Sequence, residues 1–219
     1  MNLDATLDSA EEARFLSKMG GLVKRLARSG GALARFSQRE LELVLVLYYK
    51  LLKADPDGAG GLVSRQQLTT VLDTAFGITD TATVRRIHAA LDGGTSAHVT
   101  PETWARLVAL FVRGSLEERI RHCYAVYDTQ RDGLIRRDQL MVLLRGCVRQ
   151  EEGVEEAVKD LVDIVTTRLD LDRDGAISFE DFRQSVLQEP LLLECLGQAL
   201  PDRRHVEAFA MTFLVSREV

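Results

Sequence analysis

The chain has 219 residues, 46% hydrophobic and 28% charged, which is enough apolar material for one sizeable or two small globular cores and too much for a disordered chain. Its net charge of -5 and pI near 5.5 argue against a nucleic-acid binder, whose footprint is a basic field, and suit a protein that holds cations. No apolar run reaches the roughly 20 residues of a membrane span, no secretory signal opens the chain, and residue 2 is Asn where N-myristoylation needs Gly, so a soluble intracellular protein is expected.

In chain order, the first predicted helix starts at a capping box, Ser9 with Glu12. It places Leu16, Met19, Val23 and Leu26 on one face, with Gly20 and Gly21 weakening its middle. Gly30-Gly31 breaks it. A second box, Ser37 with Glu40, opens a strongly apolar helix through Leu41, Leu45, Tyr48 and Leu52. Asp55 to Gln66, D-P-D-G-A-G-G-L-V-S-R-Q, then reads as a degenerate cation-binding loop: Asp55 and Asp57 hold positions 1 and 3, Gly60 position 6 and Leu62 position 8, but position 5 is Ala59 and position 12 the neutral Gln66. The next copy, Asp92 to Thr103, keeps Val99 at position 8 and has Gly94, Ser96, Ala97 and Thr103 where two carboxylates, glycine and glutamate belong. Thr100, Pro101 and Glu102 supply an N-cap, an N1 proline and an acidic first turn, so the helix through Trp104, Leu107 and Phe111 forms without metal. Ser115 with Glu118 is a third box, after Gly114, and marks a joint.

The third copy, Asp128 to Gln139, has Asp128, Asp132, Gly133 and Ile135 in place, with Gln130 at position 3, Gln139 at position 12, and Arg131, Arg136 and Arg137 offsetting the acidic field. Asp128 and Asp132 are therefore weak candidates. The fourth, Asp170 to Asp181, reads D-L-D-R-D-G-A-I-S-F-E-D and is the most complete. Asp170, Asp172 and Asp174 present carboxylates from positions 1, 3 and 5, Gly175 permits the turn, Ala176 offers its carbonyl, Ser178 holds a water and Asp181 closes the shell. Aspartate at position 12 is one methylene shorter than the usual glutamate, which weakens Ca²⁺ and favours the smaller, octahedral Mg²⁺ relatively more. One site for Ca²⁺ or Mg²⁺ is expected.

The repeat gives the fold: all-α, a two-lobed array of four EF-hands, three of them degenerate, with an extra N-terminal helix and a C-terminal helix. The expected boundaries are 1–36 for the N-terminal extension, 37–113 for the first lobe, 114–189 for the second, with Glu151, Glu152 and Gly153 as its inner connection, and 190–219 for the C-terminal helix and tail. Loop pairing is expected through Leu62 with Val99 and Ile135 with Ile177. Pro190 starts a leucine-rich helix ended by Pro201, expected to plug a lobe of its own chain or else to meet a partner, and residues 202–219 give no clear signal. Cys123, Cys147 and Cys195 read as free core thiols in a reducing compartment. His88, His98, His122 and His205 are scattered, with no nucleophile-base order or phosphate-cradling glycine loop, so no enzyme is expected.

Several segments outside the metal motif carry a closer likeness. Phe111 to Asp128 (F-V-R-G-S-L-E-E-R-I-R-H-C-Y-A-V-Y-D), Lys159 to Ile164, Leu191 to Asp202, Ala75 to Asp80 and Trp104 after the second loop make the chain resemble the calaxin family, EF-hand proteins of ciliary and flagellar axonemes. That resemblance implies a helical, two-lobed adaptor in cytoplasm and cytoskeleton, docked beside dynein and the coiled coils of the outer dynein arm docking complex; charge and the lack of a membrane span lead to the expectation of no nucleic-acid or membrane partner. It also implies a part in calcium control of beating. In the family the second and third loops end in Glu, whereas Thr103 and Gln139 stand here. A mainly structural adaptor fits these residues; a calcium sensor of dynein-driven motility, or a general cytosolic calcium-binding regulator, is the other reading.

Overall fold

The computed structural model describes residues 6–54, 61–92, 96–148 and 153–214, and among them the chain forms ten α-helices and four strands of two or three residues. The all-α EF-hand expectation holds. Two compact units divide the chain: one takes residues up to 79, 91–115 and from 201 onward, the other 80–90 and 116–200.

In the first unit, α1 (Ala10–Arg28) starts where the Ser9 hydroxyl accepts from the Glu12 N–H, while the Glu12 carboxylate reaches back to the Asp8 N–H rather than to Ser9. A 3-10 turn over Gly31–Arg35 leads to α2 (Gln38–Ala54), whose Ser37–Glu40 box is reciprocal. α2 is apolar nearly all round because α1, α5 (Pro101–Arg113) and α10 (Arg203–Leu214) all pack on it. Phe15 stacks on Tyr49 at 4.6 Å, and the Trp104 indole N–H donates to the Val44 carbonyl at 2.9 Å. Glu40 and Arg113 form a bidentate pair (2.7 and 3.1 Å) beneath the Phe36 ring. The first two loops meet through β1 (Val63–Ser64), which leads into α3 (Arg65–Thr74), and β2 (His98–Val99), which leads into α5; α4 (Thr81–Asp92), between them in the chain, belongs to the second unit over all but its last two residues.

The second unit repeats the plan with α6 (Leu116–Tyr127), β3 (Leu134–Arg136), α7 (Arg137–Arg145), α8 (Val154–Leu169), β4 (Ala176–Ser178) and α9 (Phe179–Gln188). β3 and β4 pair antiparallel with Ile135 opposite Ile177, as expected. The Tyr124 hydroxyl ties both loops together, within reach of the Gly133 (2.7 Å) and Ile177 (3.0 Å) carbonyls.

The structure corrects the expectations for the first loop pair, the leucine-rich segment and the cysteines. In the first loop pair it is Val63, not Leu62, that faces Val99, because Val63 is fully buried and Leu62 is not. The leucine-rich segment is a 3-10 turn over Pro190–Glu194 followed by irregular chain, not a helix to Pro201: Gly197 sits at φ +114°, and the Glu194 carboxylate accepts from the N–H groups of Ala199 and Leu200. Leu196, Ala199 and Leu200 are buried in the second unit while Leu191 is 87% exposed, so the plug is the second half of the segment. Only Cys123 is a core thiol; Cys195 is half-buried and Cys147, just past the end of α7, is exposed.

The tail that gave no signal contains α10. Phe209 lies 4.6 Å from Phe76 and 6.4 Å from Trp104, and Phe213 lies 6.1 Å from Phe36, so this helix fills the apolar groove of the first unit. Extension 1–36 and tail 190–219 were expected as separate segments; α1 and α10 instead belong to the first unit, and residues 190–200 to the second.

Candidate metal centre

The fourth loop draws three carboxylates into one place. Asp170, Asp172 and Asp174 each bring an oxygen within 4.8 Å of the others, the first buried and the other two exposed. Backbone amides set these side chains: Asp170 accepts from the N–H of Asp174 (3.2 Å) and Gly175 (3.0 Å), Asp172 from Asp174 (3.1 Å), and Asp174 from Ala176 (2.8 Å). Arg173 and Gly175 take positive φ, 61° and 91°, which wraps the chain round the centre. At Asp172 the Asp174 N–H stabilises the carboxylate, yet partial desolvation and the charges of Asp174, Asp181 and Asp170 outweigh it and raise its pKa. The loop is thus crowded with like charge that a cation relieves.

Asp181 is 7% exposed and closes the loop differently from a bidentate glutamate. One of its oxygens, Oδ2, accepts from the Ser178 N–H (3.0 Å) and hydroxyl, while Ser178 Oγ accepts from the Asp181 N–H. This box caps α9 and commits one oxygen, leaving the other for an ion. Three carboxylates, the Ala176 carbonyl, Ser178 and one Asp181 oxygen are a hard, six-donor set that fits Ca²⁺ or Mg²⁺.

The third loop has the same frame and different chemistry. Asp128 is buried and accepts from the N–H groups of Arg131 (2.7 Å) and Gly133 (2.9 Å), repeating the turn of Asp170. Asp132, however, is bound by the Arg136 guanidinium at 2.5 Å, which holds its carboxyl below the usual range. At position 12, both amide atoms of Gln139 are buried without a hydrogen-bond partner among the described residues. This loop offers a neutral closing group and an acid already paired.

The residues read as ligands in the first loop, Asp55, Asp57, Ala59 and Gly60, lie outside the described residues, as do the side chain of Asp92 and residues 93–95. The shift from Leu62 to Val63 moves the closing position from the exposed Gln66 to the buried Gln67. Gln67 is the residue sequence reasoning missed. Its carbonyl oxygen accepts from the Ser64 N–H (2.8 Å), and its amide donates to the Leu51 carbonyl at the end of α2 (2.5 Å). An amide strut therefore joins incoming and outgoing helices where an ion would otherwise do so. The signal was present in the chain as S-x-x-Q, the counterpart of Ser178 to Asp181 in the fourth loop. Gln67→Ala leaves Leu51 O without its donor and should cost about 2 kcal/mol in urea unfolding, with no change in ion binding.

An EF-hand domain pair model matches residues 117–187, the third and fourth loops with their helices. Over 195 residues the chain is 34% identical to calaxin from Xenopus laevis, covering 85% of this chain and 93% of the relative. The chain belongs to the calaxin family. Calaxin from Danio rerio is 33% identical over 178 residues, 80% of this chain and 85% of its own. Human calaxin is 33% identical over 171 residues, with 76% and 81% covered. The EF-hand pair and the calaxin kinship bear out the expectation of a non-enzymatic protein. No described helix is long and apolar enough to cross a membrane.

Proposed function

We propose that this protein is an axonemal adaptor of cilia and flagella, associated with the outer dynein arm docking complex and dynein, that binds one divalent cation weakly and does not depend on it for attachment. Calaxin kinship supports the location. The observation that carries the rest is the contrast between loops: Asp170, Asp172 and Asp174 converge with none of them ion-paired among the described residues, whereas Arg136 takes Asp132 and Gln67 replaces an ion outright. Both apolar grooves being filled by the chain's own segments, Leu196 to Leu200 and α10, also speaks against a lobe that opens to capture its partner.

The metal ligands of this reading are Asp170, Asp172, Asp174, the Ala176 carbonyl, Ser178 and Asp181. The Asp174→Ala variant should lose most Ca²⁺ binding by calorimetry at fixed Mg²⁺, while far-UV helical signal stays, since packing rests on apolar faces. Two or more micromolar sites in the parent protein would instead favour a calcium sensor.

A ligand shifts an equilibrium only by its differential affinity for the two states. One site at ten times its dissociation constant, acting wholly on the bound form, supplies RT ln 11, about 1.4 kcal/mol or a tenfold change. Axonemes stripped with chelator at constant ionic strength should therefore retain most of this chain. Release of most of it, reversed by micromolar calcium, would establish the sensor reading in its place.

A further inference from the structure

The outer face of α1 carries charge of the opposite sign to the protein as a whole. From Ala13 through Arg39 the chain has seven Lys and Arg and no Asp or Glu, in a molecule of net charge -5. On α1 itself Arg14, Lys18, Lys24, Arg25 and Arg28 are all exposed. At 3.6 residues per turn they fall within an arc of about 120° and along about 21 Å of axis, opposite the buried Val23 and Leu26. Arg25 is paired with Glu102 at 2.9 Å. Lys18, Lys24 and Arg28 make no hydrogen bond or ion pair with any described residue.

Gly21 is exposed at the centre of the same face, with the half-buried Gly20 about 40° beyond its edge. Arg14 and Lys18 lie on one side of Gly20-Gly21, and Lys24, Arg25 and Arg28 on the other. Two glycines in a helix interior cost roughly 1 kcal/mol each against alanine. Nothing in this chain requires them: neither has positive φ, and a Cβ built on either meets no atom within 4 Å. A glycine that the fold does not need, set between two groups of exposed cations, fits close approach by another backbone.

We propose that the cationic face of α1 is a docking surface for an acidic helix of a partner protein, which crosses over Gly20-Gly21 and places carboxylates on both flanking groups. A lipid surface fits less well, because the apolar side of α1 is already buried on α2 and leaves nothing on the cationic face to insert. Nucleic acid is disfavoured by the overall negative charge. None of the residues of this face is a metal ligand of the reading above, so the chelator experiment bears on neither its success nor its failure.

The test uses the full chain and a helical peptide of about 15 residues rich in glutamate, matched to the 21 Å face, with its glutamine counterpart, phosphatidylserine vesicles and duplex DNA as comparators. Anisotropy titration should show binding to the glutamate peptide alone, weakening as salt rises. Lys18→Glu, Lys24→Glu and Arg28→Glu together should lower affinity about tenfold or more, since three attractive contacts become repulsive. Circular dichroism should stay unchanged, because all three side chains are exposed. Gly21→Leu should raise the melting temperature by improving helix propensity, yet weaken peptide binding by filling the notch. Unchanged binding in either variant, or equal or tighter binding to vesicles, DNA or the glutamine peptide, would overturn the proposal.

Discussion

Phe209→Ala should destabilise the first unit by about 3–5 kcal/mol, the range for removing a large aromatic from a packed core. Phe209 is 3% exposed and touches three other rings, Phe76, Trp104 and Phe213, so the void cannot collapse without moving several neighbours. The loss is comparable to the whole margin of many domains. Trp104, the chain's single tryptophan, is fully buried beside Phe209 and makes the change readable: urea unfolding followed by its fluorescence should shift its midpoint strongly. Met211→Ala, on the exposed side of the same helix, should leave it within about 0.5 kcal/mol. An α10 that served as a displaceable lid would give the opposite pattern, with Phe209→Ala barely moving the fluorescence midpoint.

How much of this was legible in the sequence depended on how many constraints each stretch imposed. Asp170 to Asp181 combines acids, glycine and an apolar strand residue at fixed positions, and the structure gathers its first three acids as that spacing implies. The first loop offered two frames, because Gly60-Gly61 and Leu62-Val63 are adjacent pairs of equivalent residues. Choosing between them needed Ser64 and Gln67, a capping box that only the Val63 frame explains. Val206, Phe209, Ala210 and Phe213 recur at i, i+3, i+4 and i+7, the stripe of an amphipathic helix, but Arg203, Arg204, His205 and Glu207 beside them obscure it. Other features lay beyond sequence periodicity. Nothing local predicts that Arg136 turns onto Asp132, or that Gly77 at φ +67° must remain glycine because a Cβ would come within 2.5 Å of the His205 ring.

The second large effect is acid sensitivity, which should set in at different pH in the two units. In the second, burial holds the His122 pKa down at about 4 despite the Ala199 carbonyl 3.2 Å from Nε2. Because the unfolded chain takes up this proton near its ordinary pKa of 6.5 and the folded chain does not, stability falls as pH drops from 6.5 toward 4. In the first unit, the Arg113 hydrogen bonds outweigh burial and, with Ser37, hold Glu40 at about 2 against an ordinary 4.5. A depressed carboxylate stabilises above its unfolded pKa, so this contribution is full at neutral pH and is lost between pH 4.5 and 2. Each shift corresponds to about 3 kcal/mol, reduced to about 2 for Glu40 by solvent screening of its pair. Ring NMR of His122 should show no titration above pH 5, and Trp104 fluorescence should report a later loss of the first unit. Glu40→Gln should destabilise that unit at pH 7, by about 2 kcal/mol, and remove most of the difference between pH 5 and pH 2. An unaltered pH profile in that variant would show that Arg113 and Glu40 do not govern the acid transition.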